Sequence, residues 1–85
     1  MTKHENNWIS GRIGIPDADG NYTYFEYWVK VYETGSEFGI DGGKIGKLTI
    51  KRDGVPVVNY DRGWDLTPST DAEKEALASL IKDMN

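Results

Sequence analysis

The chain has 85 residues, with 14 acidic and 10 basic side chains, a formal net charge of −4 and no cysteine. A chain of this length forms one domain with a modest core, and the lack of cysteine excludes disulfides, thiolate metal sites and cysteine nucleophiles. The negative charge disfavours a general nucleic-acid binder, and the apolar runs are too short to cross a membrane. We therefore expect one small cytoplasmic domain.

The N-terminal part of the sequence predicts a tail followed by a hairpin. Residues 1–7 are polar and lack the apolar run of a secretory signal, so we expect a disordered tail before a single domain over 8–85. Trp8–Ile15 alternates isoleucine with polar or small residues, a pattern typical of a strand. Pro16–Asn21, PDADGN, has the composition of a turn and predicts a hairpin to the next strand.

The segment from Tyr22 to Glu33 is the strongest strand signal in the chain. It contains no glycine or proline and is rich in aromatic and β-branched residues. Side chains alternate across a strand, so odd and even positions lie on opposite faces. The odd positions are the more apolar and we predict that they face the core: Thr23, Phe25, Tyr27, Val29 and Val31. The even positions predict a half-solvated face of aromatic and charged residues: Tyr22, Tyr24, Glu26, Trp28, Lys30 and Tyr32.

Two more strands are predicted after a glycine-rich connection. Thr34–Gly43 contains four glycines and indicates a loop with several positive φ angles. Lys44–Arg52 predicts the third strand, and the Asp-Gly pair at 53–54 is typical of a two-residue hairpin turn. Val55–Asp61 predicts the fourth strand, and because proline cannot donate a ladder hydrogen bond, Pro56 indicates that this strand lies at a sheet edge or begins after Pro56.

The C-terminal segment predicts a helix. After a crossover at 62–69, Thr70 and Glu73 have the spacing of a capping box, and the helix is predicted from about Asp71 to Met84. Its apolar residues form one stripe that must dock on the sheet: Ala76, Leu77, Leu80, Ile81 and Met84. The sequence therefore predicts an α+β domain: a four-stranded, mostly antiparallel sheet in ββββα order, with one C-terminal helix packed on one face.

One turn partly matches a calcium-binding loop. Asp17, Asp19 and Asn21 occupy positions one, three and five of an EF-hand pattern. The pattern then fails, because Tyr22 replaces the required glycine and Trp28 replaces the bidentate glutamate. We predict an acidic hairpin turn and no metal site.

No sequence pattern predicts catalysis. The glycine-rich loop lacks the first glycine of a phosphate-binding loop, where Phe38 stands, and has Ile45 where serine or threonine is required. His4 is the only histidine and lies in the predicted tail, so a serine–histidine pair is not expected. We predict no catalytic residues, no cofactor and no enzymatic activity.

The even face of the central strand is the best candidate binding surface. It combines aromatic residues with lysines of the third strand, and the candidate residues are Trp8, Tyr24, Trp28, Lys30, Tyr32, Lys47 and Lys51. Such a face has three interpretations: a cover for an open sheet without a ligand, an interface with a protein partner or a second copy, or a platform for single-stranded nucleic acid. The leading hypothesis is a non-enzymatic accessory or protein-interaction domain that uses this face, in one version to dimerise. The alternative is a weak single-stranded nucleic-acid-binding module. The segment from Asn59 to Asp65, NYDRGWD, is interpreted as a structural corner.

Two segments carry a resemblance to a known group of sequences. The run VYETGSEFGIDGGKIGKLTIKR, followed by VVNYDRGWD and a helix with an acidic start, resembles a family of small uncharacterised bacterial domains found in Firmicutes and their phages. The resemblance covers most of the chain from Trp8 onward. It implies a small cytoplasmic domain in a bacterial or phage context, and it assigns no catalytic or binding residue.

Overall fold

The computed structural model describes residues 8–85, and the predicted tail with His4 lies outside the described residues. The described chain forms five strands and one α-helix: β1 (Trp8–Pro16), β2 (Tyr22–Val31), β3 (Ile45–Arg52), β4 (Val55–Asp61), β5 (Trp64–Leu66) and α1 (Asp71–Met84). The strands pair in chain order, and every pairing is antiparallel. The α+β class, the antiparallel sheet and the C-terminal helix are confirmed.

The prediction of four strands is wrong, because part of the expected crossover forms β5. Arg62 has a φ of 61°, and its N–H donates to the Gly46 carbonyl at 3.2 Å, while the Asp61 N–H donates to the Gly63 carbonyl at 3.0 Å. This tight turn reverses the chain, so β5 pairs with Asn59 and Tyr60 of β4. A strand of three residues is too short to show the alternation that identifies longer strands.

The proline in β4 lies beyond the reach of β5. Pro56 is opposite Lys51 at an irregularity in the β3–β4 register, whereas β5 pairs only with Asn59 and Tyr60. The half of β4 that contains Pro56 therefore remains at the edge of the sheet. At an edge, the N–H group that proline lacks is not needed for a hydrogen bond between strands.

The core lies between one face of the sheet and α1. Phe25 and Val29 of β2 are buried on this face, as the alternation predicts, whereas Thr23, Tyr27 and Val31 are half-buried. The buried partners from neighbouring elements are Ile15, Ile40, Ile45, Leu48, Ile50, Val58, Tyr60, Ala76, Leu77 and Leu80. Within residues 8–85, no element covers the opposite face of the sheet.

Helix α1 begins with the predicted capping box. The Thr70 hydroxyl accepts a hydrogen bond from the Glu73 N–H at 3.1 Å, and the Glu73 carboxylate accepts from the N–H groups of Ser69 and Thr70 at 2.8 and 3.3 Å. Burial alone would raise the pKa of Glu73, but these hydrogen bonds to the ionised form outweigh it and hold the pKa below its usual value. The first turn of the helix is therefore capped by a buried, charged carboxylate.

The end of the chain fastens the glycine-rich loop between β2 and β3. The loop contains a single 3₁₀ turn, Ile40–Gly42. Asn85 donates from Nδ2 to the Ile40 carbonyl at 3.0 Å and accepts at Oδ1 from the Ile45 N–H at 3.0 Å. Gly43 has no side chain, and a Cβ at this position would overlap the Asn85 amide. The loop is thus held at the same end of the sheet as the turn at Arg62.

Candidate functional site

The face of the sheet away from α1 brings together most of the residues that the sequence predicts. We call it the open face and define it by the outward residues of β1 to β4 that follow: Trp8, Ser10, Arg12, Tyr24, Glu26, Trp28, Lys30, Lys47, Thr49, Lys51, Asn59 and Asp61. The antiparallel register aligns them in rows across the strands. Trp8, Lys30 and Lys47 form one row, and Ser10, Trp28 and Thr49 form the next.

Three aromatic rings on the open face each lie beside a cation. Lys51 Nζ is 5.1 Å from the centroid of the Trp28 ring, and Lys30 Nζ is 5.8 Å from that of Trp8. Arg12 Cζ is 4.6 Å from the centroid of the Tyr24 ring. At these distances each cation is attracted by the electron-rich ring face. The contacts hold the long basic side chains against the sheet, so their charges are concentrated near the aromatic surface.

The aromatic residues of this face are too exposed to serve as a second core. Trp8 is 47% exposed, Tyr24 51% and Trp28 37%. Trp8 and Trp28 also line a shared groove of about 350 Å³ with Thr49 and Lys51. The groove presents ring surface and one cation to solvent, an arrangement that favours a partner with planar or apolar groups and negative charge.

The open face is positively charged although the protein is acidic. Its cations are Arg12, Lys30, Lys47 and Lys51, and its carboxylates are Glu26 and Asp61, which gives the residues of the open face a net charge of +2 on a chain of −4. Asp65, which is hydrogen-bonded to Asn59 at the margin of this face, lowers the sum to +1. Lys47 Nζ and Asp61 Oδ1 are 3.7 Å apart, and both side chains are substantially exposed, so this ion pair is weak. This side of the molecule is therefore more positive than the chain as a whole.

A short chain of polar side chains crosses the sheet beside the Trp28 row. The Thr49 hydroxyl donates to Asn59 Oδ1 at 2.7 Å, and Asn59 Nδ2 donates to Asp65 Oδ2 at 3.1 Å. Each donor restricts the rotamer of the next residue. Thr49, which lines the Trp8–Trp28 groove, is consequently held by its hydrogen bond to Asn59.

A second cavity lies where the open face meets the glycine-rich loop and the turn before β5. We call this space of about 470 Å³ the corner cavity, and its lining residues are Lys30, Tyr32, Thr34, Ser36, Phe38, Gly46, Lys47 and Arg62. Tyr32 is predicted on the even face, but it follows the end of β2 and its ring lies over Gly46, where a Cβ would overlap it. Arg62 packs on Phe38, with Cζ 4.6 Å from the ring centroid.

A comparison with protein families identifies the group to which this sequence belongs. The family model described as Domain of unknown function (DUF7678) matches residues 7–85. The chain belongs to this family. The match confirms the resemblance to a family of uncharacterised domains. No curated protein matches the chain, and no solved structure does.

For this DUF7678 domain, candidate residues follow from geometry alone. Within residues 8–85, no group of three or more His, Cys, Asp or Glu side chains converges in a way that could hold a metal ion. None of the helices in that range has the length and apolar character needed to span a membrane. The chemistry that the surface does offer is cation–aromatic recognition.

Several residues of the two cavities escape sequence-based prediction. Thr49 of the groove and Arg12 of the open face are not among the predicted candidates, although strand alternation places both on the face away from the core. Arg62 and Phe38 are far apart in sequence and meet because the turn at 62–63 lies against the glycine-rich loop. Two features of the sequence could have pointed to these residues: the arginine in β1 (Arg12), and the arginine that precedes a glycine in the turn at 62–63. Neither feature identifies a binding site unless the fold is known.

Proposed function

We propose that this domain is a non-enzymatic interaction domain and that its open face binds an acidic segment of a partner protein. The observation that carries the proposal is the coincidence of exposed aromatic rings and a net positive charge on one face of an acidic chain. Aromatic residues supply most of the binding energy at protein interfaces. Charge complementarity sets the orientation and the association rate.

Charge also bears on the choice between a partner protein and a second copy. In a face-to-face dimer with two-fold symmetry, each open face meets itself. Such a dimer would oppose Lys30, Lys47 and Lys51 of one copy to the same positively charged face of the other. Like charges across an interface cost several kcal/mol. This repulsion supports an acidic partner over self-association.

Single-stranded nucleic acid is the second candidate, and the Trp8–Trp28 groove is the observation that favours it. Two indole rings, a threonine and Lys51 surround this groove. Bases stack on exposed aromatic rings while nearby cations bind the phosphates, and each stacked base contributes about 1–3 kcal/mol. Such binding is tolerant of sequence and strongly dependent on salt.

An NMR titration separates these candidates. ¹⁵N-labelled protein is titrated with a twelve-residue peptide rich in glutamate and tyrosine, and separately with a mixed-sequence single-stranded oligonucleotide, at about 50 and 200 mM salt. Peptide-induced shifts on β1 to β3 that persist at the higher salt support the interaction domain. Shifts with the oligonucleotide alone, lost as salt rises, would replace it with the nucleic-acid candidate. Broad lines that sharpen on dilution would instead identify a dimer.

Two tryptophan variants locate the surface. Trp28→Ala removes a ring that is already 37% exposed, so we expect the fold to persist and binding of the effective probe to fall at least about ten-fold. Trp64→Ala is the matched control, because Trp64 is 46% exposed but lies on β5, outside the open face. Equal binding by the wild type and Trp28→Ala, or no shift on the open face with any probe, would refute the proposal.

A further inference from the structure

The corner cavity combines cations, hydroxyl groups and aromatic rings around a space of small-molecule size. We propose that it binds a phosphate-bearing small molecule with a planar ring, the chemical class of a mononucleotide. This inference goes beyond the proposed function, because the cavity depends on the glycine-rich loop and the turn before β5 as well as on the sheet.

Positive charge converges on this cavity from two parts of the fold. Lys30 and Lys47 are opposite each other on β2 and β3, and Arg62 approaches from the turn between β4 and β5. Among residues 8–85, no aspartate or glutamate lines the cavity. The exposed ion pair with Asp61 neutralises only part of the charge of Lys47. An anionic group is therefore the complementary ligand.

The backbone of Arg62 adds an independent observation. The non-glycine residues with positive φ in the described chain are Asp41, Asp53 and Arg62. Aspartate tolerates this conformation because its short side chain hydrogen-bonds locally, whereas arginine has no such compensation. Residues held in unfavourable conformations cluster at binding sites. Here the Arg62 guanidinium lies over the Phe38 ring, and both residues line the cavity.

The loop supplies hydroxyl donors for an anion. Ser36 Oγ accepts a hydrogen bond from the Phe38 N–H at 3.2 Å, which leaves the Ser36 O–H available as a donor. Thr34 lines the same wall. With the two lysines and the arginine fork, these groups match the several acceptor oxygens of a phosphate.

The aromatic residues of the cavity suit a planar group beside the phosphate. Phe38 is 48% exposed and Tyr32 is 40% exposed. The Tyr60 hydroxyl donates to the Phe38 backbone carbonyl at 2.7 Å, and the Tyr32 ring lies over Gly46. The volume of about 470 Å³ lies within the range of small-molecule sites. The exposed parts of the two rings can therefore contact a planar group bound in the cavity.

The test measures binding of AMP, inorganic phosphate and adenosine by NMR titration at one ionic strength. We expect AMP to bind at least about ten-fold more tightly than either of its parts, because the charged and aromatic groups then act together. Amide shifts are expected at Ser36, Phe38 and Gly46. No AMP binding, or equal affinity for phosphate and AMP, would overturn the inference.

Two variants act in opposite directions on the same ligand. Arg62→Gly removes the guanidinium and replaces it with a residue that adopts a φ of 61° freely, so the fold is retained while AMP affinity falls at least about ten-fold. Asp61→Asn frees Lys47 and raises AMP affinity about two- to five-fold. Arg52→Gln is the control, because it deletes an exposed charge that lies outside the cavity. If Arg52→Gln lowers AMP affinity as much as Arg62→Gly does, the effect is due to net charge alone and the site is refuted.

The test also separates the corner cavity from the open face. Trp28 does not line the cavity, so Trp28→Ala should leave AMP binding unchanged even where it abolishes binding of the peptide. Loss of AMP binding in Trp28→Ala would place AMP on the open face and overturn the inference.

Discussion

Replacing Asn85 with alanine tests whether one side chain fastens the glycine-rich loop to the rest of the fold. The Asn85 amide makes two partly buried hydrogen bonds, to the backbone of Ile40 and of Ile45. Both of those residues are almost fully buried, at 2% and 0% exposure. Asn85→Ala therefore leaves the Ile45 N–H without its partner, at a position that water reaches poorly, whereas the Ile40 carbonyl keeps the hydrogen bond that it accepts from the Gly43 N–H at 2.8 Å.

The expected cost follows mainly from the Ile45 N–H. An unsatisfied buried polar group costs about 1–3 kcal/mol. We therefore expect Asn85→Ala to lower the free energy of unfolding by about 1–3 kcal/mol. For a domain of this size the corresponding fall in Tm is at least about 4 °C. This is a large part of the total stability of a small domain.

Urea and thermal unfolding followed by tryptophan fluorescence measure the free energy of unfolding, with any purification tag at the N-terminus because Asn85 is the last residue of the sequence. Asn21→Ala is the control, because Asn21 is exposed and joins its turn through backbone groups. We expect Asn21→Ala to change the free energy of unfolding by less than about 0.5 kcal/mol. Hydrogen exchange of the Ile45 amide should accelerate in Asn85→Ala. A loss below about 1 kcal/mol with unchanged exchange would contradict the fastening role.

Two further predictions concern the helix cap and the floor of the corner cavity. Because the pKa of Glu73 is lowered in the folded state, its ionised form stabilises the fold above the unfolded pKa, and that contribution is lost as pH falls through the folded value. Glu73→Gln should therefore lower stability at pH 7 and weaken the acid dependence of unfolding free energy below about pH 4.5; an unchanged acid profile would contradict this. Gly46→Ala should displace the Tyr32 ring, cost about 1–3 kcal/mol and weaken AMP binding; native stability with native Tyr32 chemical shifts would refute the overlap.

Local sequence chemistry was sufficient to predict most of the elements. β2 alternates so regularly that its buried and exposed faces follow from the period of two, and Phe25 and Val29 are buried as predicted. The capping box at Thr70 and Glu73 sets the start of α1 because its hydrogen bonds are formed within four residues. These signals are reliable because each depends on neighbours in sequence.

The candidate sites were predictable only where they lie on regular strands. Trp8, Trp28 and Lys51 are placed on one face by alternation, and the structure brings them around one groove. The corner cavity could not be predicted in this way. Its arginine and Phe38 belong to irregular segments whose approach depends on the Arg62 N–H donating to Gly46.

The sequence by itself determined the alternation of the strands, the acidic hairpin turn, the capped helix and the absence of disulfides. Only the tertiary structure decided that Trp64–Leu66 joins the sheet as β5 and that Arg62 reaches Phe38. The physical reason is the range of the interactions involved. Alternation and capping depend on residues a few positions apart, whereas the fifth strand and the corner cavity require hydrogen bonds and ring contacts between segments that become neighbours only after the sheet has formed.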